Sequence, residues 1–562
     1  MHISFLGPIG CVTGSCYWLR HHPEGGRALQ FLVDCGARQG EHDNDAWNRA
    51  PLPFDASAID FVLLTHAHLD HCGLLPRLVQ DGFHGEVYCT DATREIALVI
   101  LHDGARMEGA SYSTDDVMAL RFHSIDAGQL GSCCRVQGDV FVQAYGSAHI
   151  YGSVSVRVQW GPRDSQRSIT FSGDLGPNAE SGAPMPLHGA RHVPLPSDYV
   201  LVESTYGGRE RTADESNDSK RLQRLLAELQ PTLSDPSGVV LIPCFAVDRL
   251  QAVLFDLHRL WWRDRACLKG ARVFVHSKMA SEVNQIYARH LGAVTTRSKG
   301  ASELAWLSED ALSEVSKLAR PRLDRQGALM ALAAVFDHQR PAHVELPRLH
   351  TVAWRTEDVM NATGPKIVLT TAGMCSGGPI LQYLPTYLKR PNARVLLTGY
   401  QSGGTLGAEV QALGTVEERA AALEEDPHRT LTIPNHRGPS SSLPLGEVLA
   451  TVGRLTGYSA HADQRGLVSW LLGEPGQHGA AKRVIFLTHG DNAARHHLRV
   501  AVERGAKTRG AHPLVETPAH SGEVYDLDAG RWVDALSVGR AELQALVARV
   551  ARLEQRLMQA TP

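Results

Sequence analysis

Residues 66–71 place four metal-binding side chains in a row of six, with the sequence His-Ala-His-Leu-Asp-His. They directly follow an apolar run at residues 59–65, which predicts a buried strand. The imidazoles and the carboxylate would then extend from the end of that strand, at the turn into a helix. Such ligands suit zinc, and close sets of them can hold two metal ions about 3.5–4 Å apart for hydrolysis. The pattern therefore indicates a metal centre, whereas a polar surface loop is the alternative.

The composition is that of an ordinary globular protein with a high histidine content. Of 562 residues, 43% are hydrophobic, 21% are charged and 28 are His, with a formal net charge of −4. That charge argues against a protein that coats nucleic acid nonspecifically, although a local basic groove stays compatible with it. The ten cysteines contain no CxxC pair, which favours a reducing compartment. Since neither a signal segment nor a membrane-spanning apolar run is visible, we expect a cytoplasmic protein without a membrane anchor.

The chain is organised as one layered domain that a second domain interrupts. Short strands, Gly-rich turns and intervening helical patterns in the first part predict an α/β architecture. Runs at residues 239–242, 273–275 and 367–370 alternate with helical patterns, which predicts a parallel sheet. Two later runs, which we expect to be strands ending at His461 and His489, resemble the first part again. The expected divisions are 1–207 and 401–525 for the first domain, 208–400 for the insert and 535–562 for a C-terminal helix.

The C-terminal segment carries apolar residues at alternating spacings of three and four. These residues are Leu543, Leu546, Val550, Leu553 and Leu557. The spacing predicts an amphipathic helix of about two heptads. Such a helix can pack on its own chain or pair with a second copy in a homodimer.

Further candidate ligands lie at other strand ends, flanked by Gly, Ser and Ala. Together with the residues 66–71, the motifs in chain order are Asp34, His149, Asp174, Glu203, His461 and His489. In kind and order they resemble the motifs of the β-CASP nuclease family of metallo-β-lactamase-fold hydrolases, over residues 1 to about 525. The resemblance implies an αββα sandwich with an inserted β-CASP α/β domain. The family members that the chain resembles are the nuclease of the cleavage and polyadenylation specificity factor and its bacterial relatives.

The resemblance also implies a role for each site residue. Two Zn²⁺ would be held by His66, His68 and His149, by Asp70, His71 and His489, and by Asp174 as the bridge. Asp34 would orient the ligands by hydrogen bonding. A hydroxide shared by the zincs would attack phosphorus, and Asp70 would belong to the catalytic residues as well as to the ligands. His461 would protonate the leaving group, and Glu203 would orient it and favour its imidazolium form.

Two loops resemble substrate-binding segments of the family. Arg249 could clamp a phosphate through its planar guanidinium, but Asp248 stands where the family commonly has Gly. A carboxylate there would repel a phosphate. A turn with Gly373, Ser376 and Gly377 could cradle a phosphate with its amides, although such turns are common without any ligand.

The motif at His489 favours RNA as the substrate, because RNA-processing members of the family carry His there and the DNA-repair branch typically has Val. We therefore expect a zinc-dependent ribonuclease that cuts single-stranded RNA, endonucleolytically and also from the 5′ end if the turn at residues 373–377 senses a terminal phosphate. The alternatives are a DNA nuclease of the same family, an RNA-binding scaffold with little activity, and a small-molecule hydrolase of the same fold.

Overall fold

The structure is a computed structural model of the chain. It describes residues 1–535 except 24, 40–43, 108, 126–129, 178–186, 190, 297–305, 340, 342, 344, 400, 436–437 and 475–476. The predicted helix at 535–562 therefore lies, beyond its first residue, outside the described residues.

Strands and helices alternate along the described chain. The strands are β1 (His2–Phe5), β2 (Cys16–His21), β3 (Leu29–Cys35), β4 (Phe61–Leu63), β5 (Glu86–Thr90), β6 (Arg121–Ile125), β7 (Cys134–Gln137), β8 (Val140–Gly146), β9 (Val154–Trp160), β10 (Arg167–Phe171), β11 (Ser197–Glu203), β12 (Val239–Pro243), β13 (Arg272–His276), β14 (His350–Val352), β15 (Lys366–Thr370), β16 (Ala393–Leu397), β17 (Thr430–Ile433), β18 (Ser441–Pro444), β19 (Thr451–Arg454), β20 (Ala481–Thr488), β21 (Leu514–Glu516), β22 (Val524–Asp526) and β23 (Arg531–Val533). The helices are α1 (Asn44–Arg49), α2 (Leu69–Cys72), α3 (Leu75–Gln80), α4 (Asp91–Gly104), α5 (Thr114–Met118), α6 (Asp218–Leu233), α7 (Arg249–Arg263), α8 (Lys278–Thr296), α9 (Glu309–Leu318), α10 (Arg325–Phe336), α11 (Thr356–Met360), α12 (Ile380–Tyr387), α13 (Leu406–Ala412), α14 (Val416–Glu425), α15 (Gln464–Leu472) and α16 (Asn492–Thr508).

The first domain is a sandwich of two sheets, with strand orders β23-β22-β1-β2-β3-β4-β5-β6 and β21-β20-β11-β10-β9-β8-β7. Aromatic side chains join the sheets: ring centroids lie 5.3 Å apart for Phe5 and Phe486 and 5.7 Å apart for Tyr17 and Phe171. Helix α4 packs on β5 and β6, and α16 packs on β20 and β21. The predicted αββα sandwich is confirmed.

The insert has a six-stranded sheet in the order β14-β13-β15-β12-β16-β19, and all its strand pairings are parallel. Its central strand β12 is buried along its whole length, as expected for a sheet covered by helices on both faces. The predicted parallel α/β insert is confirmed. Because all these strands run in one direction, their carboxyl ends meet at one edge of the sheet.

The inserted sheet ends later in the chain than expected. The sequence predicted that the first domain resumes at residue 401. Strand β19 pairs with β16, so the inserted sheet continues to Arg454. The prediction of a strand that ends at His461 is also wrong. Strand β19 stops at Arg454, and residues 455–461 form an irregular loop. Gly457 in this loop has φ of +88°, a left-handed conformation that interrupts a strand.

A buried charge network anchors that loop to the insert. Asp256 on α7 accepts hydrogen bonds from Nε of Arg221 at 2.9 Å, from Nη1 of Arg259 at 2.7 Å and from the hydroxyl of Tyr458 at 2.8 Å. Both oxygens of this fully buried carboxylate are thereby used. The segment that leads to His461 is therefore held by helices α6 and α7.

Two further features concern membranes and disulfides. Within the described part of the chain, every helix falls short of the length and apolarity that crossing a bilayer requires. All ten cysteines are free thiols.

We predict that Asp256→Ala destabilises the protein by about 3–5 kcal/mol, because it leaves two buried guanidinium groups without their shared carboxylate. Urea unfolding followed by circular dichroism measures the change. Arg499→Ala, which removes an exposed pair with Glu503, is the control and should cost no more than about 1 kcal/mol. Equal stability losses in the two variants would contradict the assignment of the network.

Candidate metal centre

Two groups of metal-binding side chains meet where strands of both sheets end. The first group consists of His66, His68, His149 and Asp174, and the second consists of Asp70, His71 and His489. Within each group the ligand atoms all lie within 4.8 Å of one another. The structure thus brings together every residue that the sequence analysis nominated as a metal ligand.

The register of the strands explains this convergence. Strand β11 pairs in parallel with β10 on one side and with β20 on the other, which aligns Glu203 with Thr488. Asp174 and His489 therefore follow the ends of the two strands that flank β11. After β4 ends at Leu63, a short irregular segment carries His66 and His68, and helix α2 then carries Asp70 and His71 toward the same point.

Asp174 lies between the two groups, with one carboxylate oxygen toward each. Its Oδ2 is 3.4 Å from Nε2 of His149 and 3.6 Å from Nε2 of His66. Its Oδ1 is 3.4 Å from Nε2 of both His71 and His489. This arrangement is that of a carboxylate able to bridge two metal ions.

The unpartnered polar atoms at the centre fit bound metal. Oδ1 of Asp174 and Nε2 of His71 are buried, and neither has a hydrogen-bond partner among the described residues. Buried polar atoms are almost always paired, so these atoms point to a ligand that completes them. Imidazole nitrogen and carboxylate oxygen are the donor set that zinc accepts.

Hydrogen bonds behind the imidazoles orient two of the ligands. Asp34 accepts from Nδ1 of His71 at 2.7 Å, from the amide of Thr65 at 2.8 Å and from the Thr65 hydroxyl at 2.9 Å. That hydroxyl lies 3.1 Å from Nδ1 of His66. With Nδ1 occupied, Nε2 of each ring is left for the metal side. Asp34 thus lies behind the ring of His71, on the side away from its Nε2.

Two other orienting groups were not anticipated. Nδ1 of His149 donates to the carbonyl of Ala460 at 2.9 Å, and Nδ1 of His489 lies 2.9 Å from Oγ of Ser15. A backbone carbonyl carries no residue-specific signal. Ser15 lies at the end of an early Gly-rich loop, directly before β2, and its local sequence does not mark it as a site residue.

Close backbone approach and left-handed residues shape the site. A Cβ at Gly36 would lie 1.6 Å from the carbonyl oxygen of Asp70, so only glycine fits there. The non-glycine residues Asp34, Ala148 and His489 have φ of +56°, +58° and +47°. Such conformations are uncommon for these residue types and concentrate at functional sites.

Burial sets the protonation of most ligand imidazoles. Burial lowers the pKa of His66 and His149 well below the usual range, and it lowers the pKa of His68 to about 4. Neutral imidazole is the form that binds a metal. Burial also opposes the charged form of His71, but the carboxylates of Asp174 and Asp34 outweigh it and raise its pKa.

His461 and Glu203 form a pair beside the first ligand group. Nδ1 of His461 lies 3.1 and 3.3 Å from the two carboxylate oxygens of Glu203, and the His461 ring centroid is 4.6 Å from that of His149. Glu203 is buried and also accepts the amides of Leu175 and Thr205, at 2.8 and 3.2 Å. Burial disfavours the charged imidazole, but Glu203 overcomes this and raises the pKa of His461 to about 9.

Arg249, nominated as a phosphate ligand, begins helix α7. Its Nη1 donates to Oδ2 of Asp248 at 2.7 Å, and its buried Nε has no hydrogen-bond partner in the described part of the chain. Burial is the main reason that the pKa of His68 is lowered, and the positive charge of Arg249 adds to it. This guanidinium therefore lies within electrostatic reach of the ligands.

The turn with Gly373, Ser376 and Gly377 lies beside the loop that leads to Arg249. The backbone of Gly373 packs against Phe245, and a Cβ at Gly373 would be 2.9 Å from the Phe245 amide nitrogen. The Gly377 carbonyl accepts the amide of Ala372 at 3.0 Å, while Ser376 is exposed. The turn is thus part of the edge at which the parallel strands of the insert end.

Family models match three regions of the chain. They are the metallo-beta-lactamase superfamily over residues 9–205, the Beta-Casp domain over residues 250–410, and the Zn-dependent metallo-hydrolase RNA specificity domain over residues 446–512.

Two similar proteins illustrate the relationship. Ribonuclease TTHA0252 of Thermus thermophilus is 32% identical over 496 residues, which cover 87% of this chain and 93% of that protein. Transcription termination factor FttA of Methanococcus maripaludis is 26% identical over 477 residues, which cover 83% of this chain and 64% of that protein. The chain thus spans less than two thirds of the archaeal factor.

We predict that Asp34→Asn weakens zinc binding by about 10–100-fold, because the neutral amide no longer orients and polarises His71. Asparagine tolerates the positive φ at this position, so the fold should persist. Competition with a chromophoric zinc chelator measures the affinity. Asp91→Asn, at a half-exposed carboxylate of the same domain, is the control and should bind zinc as the unchanged protein does.

Proposed function

Because the chain belongs to the β-CASP family of metallo-β-lactamase-fold hydrolases, we propose that it is a zinc-dependent ribonuclease that hydrolyses phosphodiester bonds of single-stranded RNA. The observation that carries the proposal is the His461–Glu203 pair next to two ligand groups that share Asp174. A metal pair with an adjacent proton donor matches the needs of phosphodiester cleavage, in which a poor leaving group must be protonated. The names of the Thermus ribonuclease and of the RNA specificity domain support RNA as the substrate.

The ligand groups would hold two zinc ions. His66, His68 and His149 would bind one, Asp70, His71 and His489 the other, and Asp174 both. Zinc in such a pair lowers the pKa of water and stabilises the charge that develops on a phosphate.

His461 would act as the general acid. Glu203 accepts from Nδ1, which leaves the proton on Nε2 for transfer to the departing sugar oxygen. The same carboxylate keeps the imidazolium form populated at neutral pH and fixes the ring plane. Arg249 would bind a non-bridging phosphate oxygen through the part of its guanidinium that Asp248 does not hold.

The inserted domain would restrict access to the metal centre. Helix α8 of the insert packs on α4 of the first domain, and Arg289 and His290 contact Glu95 across this interface. A single strand can thread such a cleft between domains, and aromatic or basic groups along it can hold successive nucleotides.

We propose endonucleolytic cutting, with 5′-exonucleolytic digestion in addition if the turn at residues 373–377 receives a terminal phosphate. The free cysteines support a reducing, cytoplasmic location.

We predict that the purified protein binds two zinc ions per chain and cleaves 5′-labelled single-stranded RNA but not matched DNA. Chelation should abolish cleavage, and zinc should restore it, because the residues alone provide no activated nucleophile. Mass spectrometry of the metal content and gel mapping of the products measure these outcomes. Equal cleavage of DNA would overturn the RNA assignment, whereas a zinc-loaded protein that binds but does not cut RNA would indicate a scaffold.

We predict that His461→Ala lowers kcat by about 10²–10⁴-fold, because the leaving oxygen loses its proton donor. Zinc content should stay unchanged, and His123→Ala, at an exposed histidine of the same domain, should retain full activity. Full activity of His461→Ala would refute the general-acid role.

We predict a pH dependence for the same step. The acid form of His461, with a pKa of about 9, is present below that pH and is lost as the pH rises through it. Activity should therefore fall on the alkaline side. In Glu203→Gln the carboxylate that raises this pKa is gone, so the fall should begin at a lower pH. An unshifted alkaline limb in the kcat/KM profile would show that Glu203 does not tune His461.

A further inference from the structure

One buried group in the structure has no part in the mechanism above. Asp248 precedes Arg249 and is almost fully buried, and its carboxylate uses both oxygens. Oδ1 pairs with Nε2 of His188, and Oδ2 accepts Nη1 of Arg249 at 2.7 Å. Nδ1 of His188 in turn donates to the carbonyl of Ala148, the residue before His149, at 2.8 Å. A continuous chain of contacts therefore runs from Arg249 to the backbone of a metal ligand.

We propose that His188 and Asp248 are positioning residues that hold the guanidinium of Arg249 in a fixed place relative to the metal centre. This inference rests on the proposed function, in which Arg249 binds a phosphate. It also explains why a carboxylate can stand beside a phosphate-binding arginine. The carboxylate faces two side chains that can carry positive charge, so its own charge is directed away from the substrate.

The backbone at Asp248 supports a role for its side chain. Asp248 has φ of +73°, which glycine adopts without strain and aspartate does not. A residue with a side chain at such a position persists when the surroundings determine its conformation. Here the surroundings are the hydrogen bonds from His188 and Arg249, and a buried carboxylate needs such partners.

His188 links the two domains at this point. It lies in a short segment that forms a bridge with Leu307, next to the start of α9, and flanking backbone hydrogen bonds join Gly189 to Trp306 and Ser308 to Leu187. Its side chain therefore contacts the ligand loop of the first domain and the α7 terminus of the insert at once. Any change in the relative position of these elements would therefore shift Arg249 relative to the proposed zinc ligands.

The hydrogen bond from Arg249 to Asp248 also fixes the orientation of the Arg249 guanidinium. Because Asp248 holds Nη1, the guanidinium cannot rotate freely, and its buried Nε keeps one N–H without a partner in the described chain. An arginine whose fork is already oriented loses less freedom when it binds a phosphate oxygen. In the proposed function, that oxygen belongs to the phosphodiester backbone of the RNA.

A double-mutant cycle tests the proposal on the zinc-loaded protein. Asp248→Asn should weaken RNA binding, measured by fluorescence anisotropy and as KM, by about tenfold, as for coupled neighbouring residues. Asp248→Gly, which relieves the backbone and therefore should fold, is expected to weaken it equally. In an Arg249→Ala background, adding Asp248→Asn should change binding by less than about twofold, because the positioned group is already absent.

The controls separate this proposal from a general structural role. His188→Gln, which keeps a donor toward Asp248, should bind RNA better than His188→Ala, and all variants should retain two zinc ions. Asp358→Asn breaks an exposed carboxylate–arginine pair of the insert with Arg355 and should leave binding unchanged. Additive effects of Asp248→Asn and Arg249→Ala, or wild-type affinity in both Asp248 variants, would overturn the positioning role. If the unchanged protein neither binds nor cleaves RNA, the proposed function fails instead.

Discussion

The sharing of the Asp174 carboxylate between two sets of histidines is the constraint on which the rest of the structure depends. A carboxylate with 2% exposure is costly to bury unless positive or hydrogen-bonding groups surround it on all sides. At this point those groups come from His66, His149, His71 and His489. His66, His149 and His489 follow strand ends of both sheets, and His71 lies on α2, so the sandwich must close with one register for the site to exist. The close approach at Gly36 serves the same requirement.

The parts of the site that could be predicted from the sequence are those with local signals. His149, Asp174 and His489 each follow an apolar run and stand next to small residues, which is enough to place them at strand ends. What could not be predicted depends on contacts across long separations. Ser15 meets His489 across 474 positions, and the carbonyl of Ala460 that holds His149 could belong to any residue. The role proposed for His188 could not be predicted for the same reason, since its partners are a backbone carbonyl and a residue of another domain.

The misplaced boundary of the insert has a related cause. An apolar run indicates a strand, but its periodicity does not say which sheet the strand joins. Strand β19 completes the inserted sheet beside β16, whereas the motif that ends in His461 belongs to the site. In the loop between them the chain changes direction at Gly457. A hydrogen bond from the hydroxyl of Tyr458 to Asp256 holds this loop in place. The insert therefore determines where His461 stands, although His461 lies beyond it in the chain.

The proposed metal ligand His149 and the proposed acid His461 are coupled through two consecutive residues, Ala460 and His461. Ala460 fixes the ring of His149 through its carbonyl, and the ring of the next residue, His461, packs against that same imidazole at 4.6 Å between centroids. A shift of the loop at residues 457–461 would therefore disturb a proposed metal ligand and the proposed acid together. Conversely, a metal ion that holds Nε2 of His149 would fix the surface on which His461 rests. Because the loop is anchored to α6 and α7, the geometry between the proposed acid and the metal is set by the docking of the two domains and not by either domain alone.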